Sequence, residues 1–258
     1  MSLILRQLHE LIMRYLLIAI GLVFCFGLNA QTKSASTSQK KVAGNKSTSI
    51  ISKKDILPKE QLVEITTNYG VMIAKLYNQT PLHRDNFIKL IKQGFYDSLL
   101  FHRVIKEFMI QGGDPNSKHA NDTTKVGGGA APGEKIPAEI LPNIYHKKGA
   151  LAAARDGNPA KASSTCQFYI VQGKKYDSTQ LQTTFNSRVK VANQGFVFSA
   201  TQKEVYERVG GTPQLDQSYT VFGEVISGLD VIDKIATAPT KPGDRPLTNV
   251  RMIMRLLN

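Results

Sequence analysis

The sequence predicts a mainly β protein, a closed antiparallel barrel capped by two helices. Three observations carry that expectation. β-rich segments bounded by turn signals recur at residues 62–77, 166–171, 219–225 and 250–257. Two short amphipathic helical patterns open near Thr80 and Gly228. The resulting order (strands, a helix, more strands, a helix, a closing strand) suits a sheet that closes on itself and so exposes no edge.

In chain order, Val63, Ile65 and Thr67 alternate with Glu64 and Thr66. Asn68-Tyr69-Gly70 is a turn signal, and Val71 to Tyr77 reads as the return strand of a hairpin. Thr80 is placed to cap a helix, with Pro81 in its first turn and Leu82, Phe87, Leu90 and Ile91 as its apolar stripe; Gly94 closes it. Phe101 to Pro115, FHRVIKEFMIQGGDP, is an apolar run carrying one fixed cation, Arg103, and it ends at Gly112-Gly113-Asp114-Pro115. A guanidinium always donates, and holding one among aromatics is costly unless it is paired. Gly127-Gly128-Gly129 with Pro132-Gly133 reads as a surface loop; no Gly-Lys-Ser/Thr follows to make it a phosphate cradle. Lys148 to Arg155 is helical by propensity alone. Asp156-Gly157-Asn158-Pro159 is a turn, and Cys166 to Val171 is a strand by β-propensity. Thr179–Lys190 and Thr201–Val209 have helical patterns, Tyr219–Val225 is a strand, Gly228–Ala236 is a short amphipathic helix, and Val250–Leu257 alternates as the closing strand.

Composition bounds the function classes. With 258 residues, 41% hydrophobic and 21% charged, the chain is long enough to bury a sizeable core. The net charge of +13 permits contact with anions, but the lysines are dispersed and there is no arginine-rich block or tryptophan, so nucleic-acid binding is not expected. Residues 1–30 read as a signal peptide: Met13-Arg14, the apolar run Tyr15 to Leu28, then Leu28-Asn29-Ala30 before Gln31. An uncleaved membrane anchor is the alternative, and a lipoprotein reading through Cys25 is weakened by bulky Phe24 before it. Residues 31–56 form a Ser/Thr/Lys/Gln stretch read as a disordered linker, and the folded domain is expected over 57–258. Export to a periplasmic or extracellular location follows, with the chain membrane-anchored if uncleaved. Removing Cys25 leaves Cys166 alone, which rules out an intramolecular disulfide in the mature chain. His9, His83, His102, His119 and His146 are scattered and give no metal-ligand spacing, so no metal and no cofactor is expected.

The run from Phe101 to Pro115 closely resembles the signature segment of the cyclophilin family, the peptidyl-prolyl cis-trans isomerases with a barrel fold. The similarity recurs downstream and covers roughly Leu62 to Leu257. The resemblance implies an eight-stranded barrel and makes Lys148–Arg155 a strand, whose alanines pack tightly in a substrate groove. It lapses over 174–213, which is therefore read as a helical insert. It also implies roles for individual residues. Arg103 is the catalytic cation, Gln111 orients it, and Phe108 and Met109 form the proline pocket. Ala154 is the small groove residue, the backbone N–H of Arg155 donates to the substrate carbonyl, Gln167 lies on the following strand and Leu215 is a pocket wall.

The implied chemistry is demanding in energy but not in covalent steps. Resonance opposes rotation about an X–Pro bond by about 18–20 kcal/mol. A catalyst must bind the twisted amide better than the planar one. The twisted prolyl nitrogen regains its lone pair and can accept a hydrogen bond from Arg103. Such a charged bond supplies roughly 1.5–3 kcal/mol, whereas five decades of rate need about 7 kcal/mol. The proline socket and the groups holding the carbonyl must therefore supply the rest.

Three positions depart from the family pattern. Tyr169 stands where Phe is usual and adds a hydroxyl that needs a partner. Tyr219 takes the usual histidine position, and Gln214 falls where an aromatic is common. All three are counted as substrate-binding, with inhibitors of the cyclosporin type expected to bind more weakly. The expected partners are proline-containing polypeptides, and the chain is read as a monomer. The competing readings are a proline-peptide-binding module with little turnover and a chaperone acting through the 174–213 segment.

Overall fold

The computed structural model describes residues 59–258, so the stretches read as signal peptide (1–30) and linker (31–56) and the expected start of the domain at 57 lie outside the described residues. Among the described residues, ten strands and four α-helices longer than one turn follow one another. They are β1 (Leu62–Thr67), β2 (Gly70–Leu76), α1 (Pro81–Lys92), β3 (Phe101–Ile105), β4 (Met109–Gly112), β5 (Ala150–Ala153), β6 (Phe168–Val171), α2 (Ser178–Thr184), α3 (Ala200–Arg208), β7 (Val221–Ser227), α4 (Leu229–Ala236), β8 (Thr240–Lys241), β9 (Arg245–Pro246) and β10 (Met252–Leu257). A π turn at Phe185–Val189 and a single α turn at Lys190–Ala192 prolong α2.

Eight strands form one antiparallel sheet in the order β10-β1-β2-β7-β5-β6-β4-β3. The expected closed barrel needs correction, because β3 and β10 are the two ends of the ladder and the sheet curls into a half-barrel. The chain entering β3 does reach the other end, through the Leu100–Arg251 bridge and three backbone bonds at 2.9 Å, Ser98 N–H to Met252 O, Met252 N–H to Leu99 O and Phe101 N–H to Val250 O. Beyond that point the Val104 N–H is spent on Asp244 O at 2.8 Å. The β8–β9 hairpin, unforeseen in the sequence, thus takes the edge that a closing strand would need.

The main core lies inside the curl. Val63 and Ile65 of β1, Met72, Ala74 and Leu76 of β2, and Met252 and Met254 of β10 point inward, as period-two alternation requires. Phe87 of α1 sits at the centre, its ring 4.9 Å from Tyr96, 5.5 Å from Phe168 and 5.2 Å from Phe222. Val231, Ile232 and Ile235 of α4 pack into the same core. Lys148–Arg155 contains a strand, β5, despite its helical propensity, because it is sandwiched between β6 and β7. A second cluster, Met109, Ala150, Ala152, Tyr169, Val171 and Val221, belongs to the sheet's other face. Residues 174–213 hold their own small core of Tyr176, Leu181, Val189, Phe196, Phe198 and Tyr206. Capping boxes at Asp177/Gln180 and Ser199/Gln202 start its two helices.

Helix α1 differs from its expected pattern. Thr80 makes no side-chain cap bond, and Leu82 is half exposed while His83 is buried. The cap comes from elsewhere: Glu139 accepts the N–H groups of Leu82 and His83, both at 3.0 Å, and lies 2.7 Å from His83 Nδ1. A carboxylate only accepts, so Nδ1 carries the proton and Nε2 accepts from Ser163 Oγ at 2.9 Å. Glu139→Ala is expected to lower stability by about 2–4 kcal/mol, the sum of a lost cap and an orphaned buried imidazole. The check is the urea unfolding midpoint at pH 7.5, with native circular dichroism retained before the transition.

Candidate active site

Strands β3, β4, β5 and β6 set the floor of a groove on the sheet's outer face. Gln111 pairs with Arg103 on one side and Tyr169 on the other, and Tyr169 pairs with Ala152, so register alone aligns these positions across the sheet. Gly113 ends β4 at φ +93°, where a side chain would run into Cys166 O. A pocket of about 120 Å³ opens above this floor, lined by Arg103, Phe108, Met109, Gln111, Ala154, Arg155, Tyr169, Leu215 and Tyr219. All of these were named from the sequence.

The other two positions lie outside that lining. Gln167 stands directly behind it. Its Nε2 donates to Gly127 O at 3.0 Å and Gly129 O at 2.7 Å, so its Oε1 is left to accept from Gln111 Nε2 at 3.1 Å. The glycine-rich loop is thus a surface loop whose carbonyls fix a site residue. Gln214 is turned elsewhere. It accepts from Tyr176 Oη at 3.1 Å and lines a separate depression with Thr179 and Arg188.

Gln111 donates to Gln167 and makes no hydrogen bond with Arg103 among the described residues. The group that meets the guanidinium is Asp244, whose Oδ2 is 3.3 Å from Arg103 Nε. Both side chains are about two-fifths exposed (42% and 43%), so the contact is a tether rather than a buried ion pair. Neither Nη1 nor Nη2 of Arg103 donates to a described residue. Asp244 sits at φ +64° after Gly243 in the β8–β9 turn. Only the turn signal Pro242-Gly243 hinted at it in sequence; nothing there placed it beside β3.

Arg155 is held flat over the rim. Its Nε donates to Ser218 O at 2.8 Å, its Nη1 donates to Asp156 O at 2.9 Å, and its guanidinium lies 4.6 Å from the Tyr219 ring centre. Its backbone N–H has no partner among the described residues, whereas the neighbouring Ala154 N–H bonds Gln167 O at 2.9 Å. Tyr169 meets Tyr219 edge-on, with ring centres 6.0 Å apart. Burial pushes the Tyr169 hydroxyl well above its ordinary pKa, so it stays protonated. Its partner is His146 Nε2 at 3.0 Å. The arrangement can seat a small apolar ring against Phe108, Met109, Leu215 and Tyr219 and can present N–H donors at one side. It offers no nucleophile. The Ser163–His83–Glu139 chain has the connectivity of an acyl-transfer triad, but Ser163 is fully buried and Glu139 is occupied as a helix cap.

The model of the cyclophilin type peptidyl-prolyl cis-trans isomerase family matches residues 62–255. This chain belongs to that family. A putative peptidyl-prolyl cis-trans isomerase of Staphylococcus aureus (strain USA300) is 36% identical over 198 residues, spanning 76% of this chain and 91% of the relative. The corresponding protein of Staphylococcus saprophyticus is 35% identical over 185 residues, spanning 71% and 85%. Among solved structures, a cyclophilin type isomerase of Cryptosporidium parvum superposes with a TM-score of 0.56 at 25% identity, covering 77% of this chain and 98% of that one. A second crystal structure of that protein, obtained in the presence of the dipeptide Ala-Pro, gives a TM-score of 0.55 at 25% identity, covering 77% and 99%.

His102, beside Arg103 on β3, marks how dry this end of the cyclophilin sheet is. It is buried, its Nδ1 is unpartnered, and burial pushes its pKa down to about 4. Burial also lowers His83. Both groups take up protons more readily unfolded, where the ordinary value is 6.5. Stability is therefore complete above about pH 6.5 and is lost as pH falls toward 4. For His102 the loss should reach about 2 kcal/mol by pH 5. Urea midpoints at pH 7.5 and 5.0 should fall further in wild type than in His102→Phe.

Proposed function

We propose that this chain accelerates cis-trans isomerisation of X–Pro bonds in exported polypeptides, with Arg103 stabilising the twisted amide. The observation that carries the reading is the pocket itself. A guanidinium tethered only through Nε leaves both Nη groups to donate, and it faces an apolar socket sized for a pyrrolidine ring. The Ala-Pro dipeptide used with the Cryptosporidium parvum relative supports a proline-containing substrate here.

In this mechanism Phe108, Met109, Leu215 and Tyr219 seat the proline ring, and the backbone N–H of Arg155 holds the preceding carbonyl. Gln111 Oε1, left over after Gln111 donates to Gln167, accepts from a substrate N–H. Arg103 then donates to the prolyl nitrogen as its lone pair forms. No proton is transferred and no bond is broken, so the rate rests on differential binding. Export rests on the apolar stretch at residues 15–28 with its basic start at Arg14.

The test is exchange of a short Ala-Pro peptide followed by NMR. Arg103→Ala should lower kcat/KM by about 10–150-fold, the equivalent of one charged hydrogen bond. Asp244→Ala should cost no more than about fivefold, as expected for an exposed ion pair. Equal rates for wild type and Arg103→Ala, with both folded by circular dichroism, would remove Arg103 from the mechanism. Binding without acceleration in wild type would make the groove a peptide-binding site only.

A further inference from the structure

The helical segment 174–213 is left without a role by the chemistry above, yet it holds one wall of the pocket. That wall is the short stretch Gln214–Gln217, which carries Leu215. The segment grips three of its four residues. Tyr176 Oη donates to Gln214 Oε1 at 3.1 Å, Tyr206 Oη donates to Asp216 Oδ2 at 2.6 Å, and Asn193 Nδ2 donates to Gln217 Oε1 at 3.0 Å. Leu215, whose side chain lines the pocket, is held by its backbone instead, its N–H donating to Thr212 O at 3.0 Å.

The middle grip extends to the pocket floor. Asp216 is 1% exposed and also accepts the His146 backbone N–H at 2.9 Å and lies 2.7 Å from His146 Nδ1. Since the carboxylate only accepts, His146 Nδ1 carries a proton toward it. His146 Nε2 then meets the Tyr169 hydroxyl at 3.0 Å. Tyr206, Asp216, His146 and Tyr169 thus form one continuous buried chain from helix α3 to the floor of the site. Burial holds the Tyr206 hydroxyl protonated, like that of Tyr169.

We infer that segment 174–213 is a positioning element for the proline pocket, with Tyr206 acting through Asp216 on both Leu215 and, by way of His146, Tyr169. The inference rests on the functional reading above. Tyr206 touches no substrate in this account; it fixes residues that do. A groove wall at the end of a single 3-10 turn, Pro213–Leu215, has no ladder to hold it, and the hydroxyl of helix α3 supplies what a neighbouring strand supplies elsewhere. Leu215 and Tyr169 meet the proline ring rather than the rotating carbonyl or the prolyl nitrogen, so their loosening should weaken binding more than turnover.

Tyr206→Phe removes one oxygen and keeps the ring in the helical segment's core. It should raise KM for an Ala-Pro peptide roughly 3–10-fold, with kcat within about twofold. Asn193→Ala, an exposed change that leaves the core intact, should shift KM in the same direction by less. Combining Tyr206→Phe with Tyr169→Phe should be non-additive in KM, because both cut one chain. In peptide-free protein, the amide resonances of Leu215 and Tyr219 should move in Tyr206→Phe. A Tyr206→Phe protein with lower thermal stability but unchanged KM and unmoved amides would overturn the inference and make the contact structural only. If wild type does not isomerise the peptide, the functional reading fails, while the amide shifts still decide whether the helix positions the wall.

Discussion

Three buried or half-buried carboxylates, each accepting at least one backbone N–H from another part of the chain, hold together what the sheet does not. Asp114, fully buried, accepts the Asn116 N–H at 2.8 Å and the N–H of Gly127. Glu139 caps α1 from 56 residues downstream of His83. Asp216 ties the Leu215 wall to His146. Between them they fix the two long connections of the domain, 113–149 between β4 and β5 and 172–220 between β6 and β7. A charge in such a place is costly unless its lone pairs are all used, and here each carboxylate accepts from at least two donors. The same bonds that satisfy the charge therefore specify the path of the loops. An apolar loop of this length would have no comparable reason to adopt one conformation.

The pocket draws on both kinds of support. Its floor, Met109, Gln111 and Tyr169, lies on strands whose backbone groups are paired on both sides in the order β5-β6-β4-β3. Its walls, Arg155, Leu215 and Tyr219, lie outside the strands, Arg155 held by two side-chain bonds and the Tyr219 ring, and Leu215 by the short turn Pro213–Leu215. The cation is the least constrained member. Arg103 belongs to an end strand, is two-fifths exposed and is tethered at 3.3 Å, an interaction in the range of about 0–1 kcal/mol. Such a tether limits where the guanidinium can go without consuming its Nη donors. Stronger fixation through a buried bidentate carboxylate would satisfy those donors before a substrate arrived. A weak hold on the cation and a firm hold on the socket are thus consistent requirements.

Local pattern made much of the fold legible. The hairpin 62–76 follows from alternation and one turn, and the run ending at Gly113 was readable because its turn chemistry and its apolar residues agree. Features set by contacts distant in sequence were not readable. Leu82 looked like a core position and His83 did not; their places are decided by Glu139, which no window around α1 contains. Closure of the barrel was expected from element order, but order does not reveal that Asp244 of a two-residue-strand hairpin takes the Val104 N–H first. Asp244 escaped notice for the same reason. The pocket lining was legible through resemblance, while Gln214, assigned by position alone, is drawn off by Tyr176, a residue of the stretch where the resemblance lapses.

Tyr169 shows how a single atom links these levels. The sequence poses a problem there, since a phenol at a position usually occupied by Phe brings a hydroxyl into a dry floor. An unpartnered hydroxyl in that place costs about 1–3 kcal/mol. His146 answers the need through Nε2, and an acceptor facing Nδ1 draws the ring proton there and leaves Nε2 to accept from the phenol. Asp216 is that acceptor, and its second oxygen is taken by Tyr206. Each group thus fixes the donor or acceptor role of the next, and the order runs from the helical segment to the pocket. The floor residue, the wall beside it and the helix behind it are therefore constrained together. A change of residue type at any of these four positions must be read against the other three.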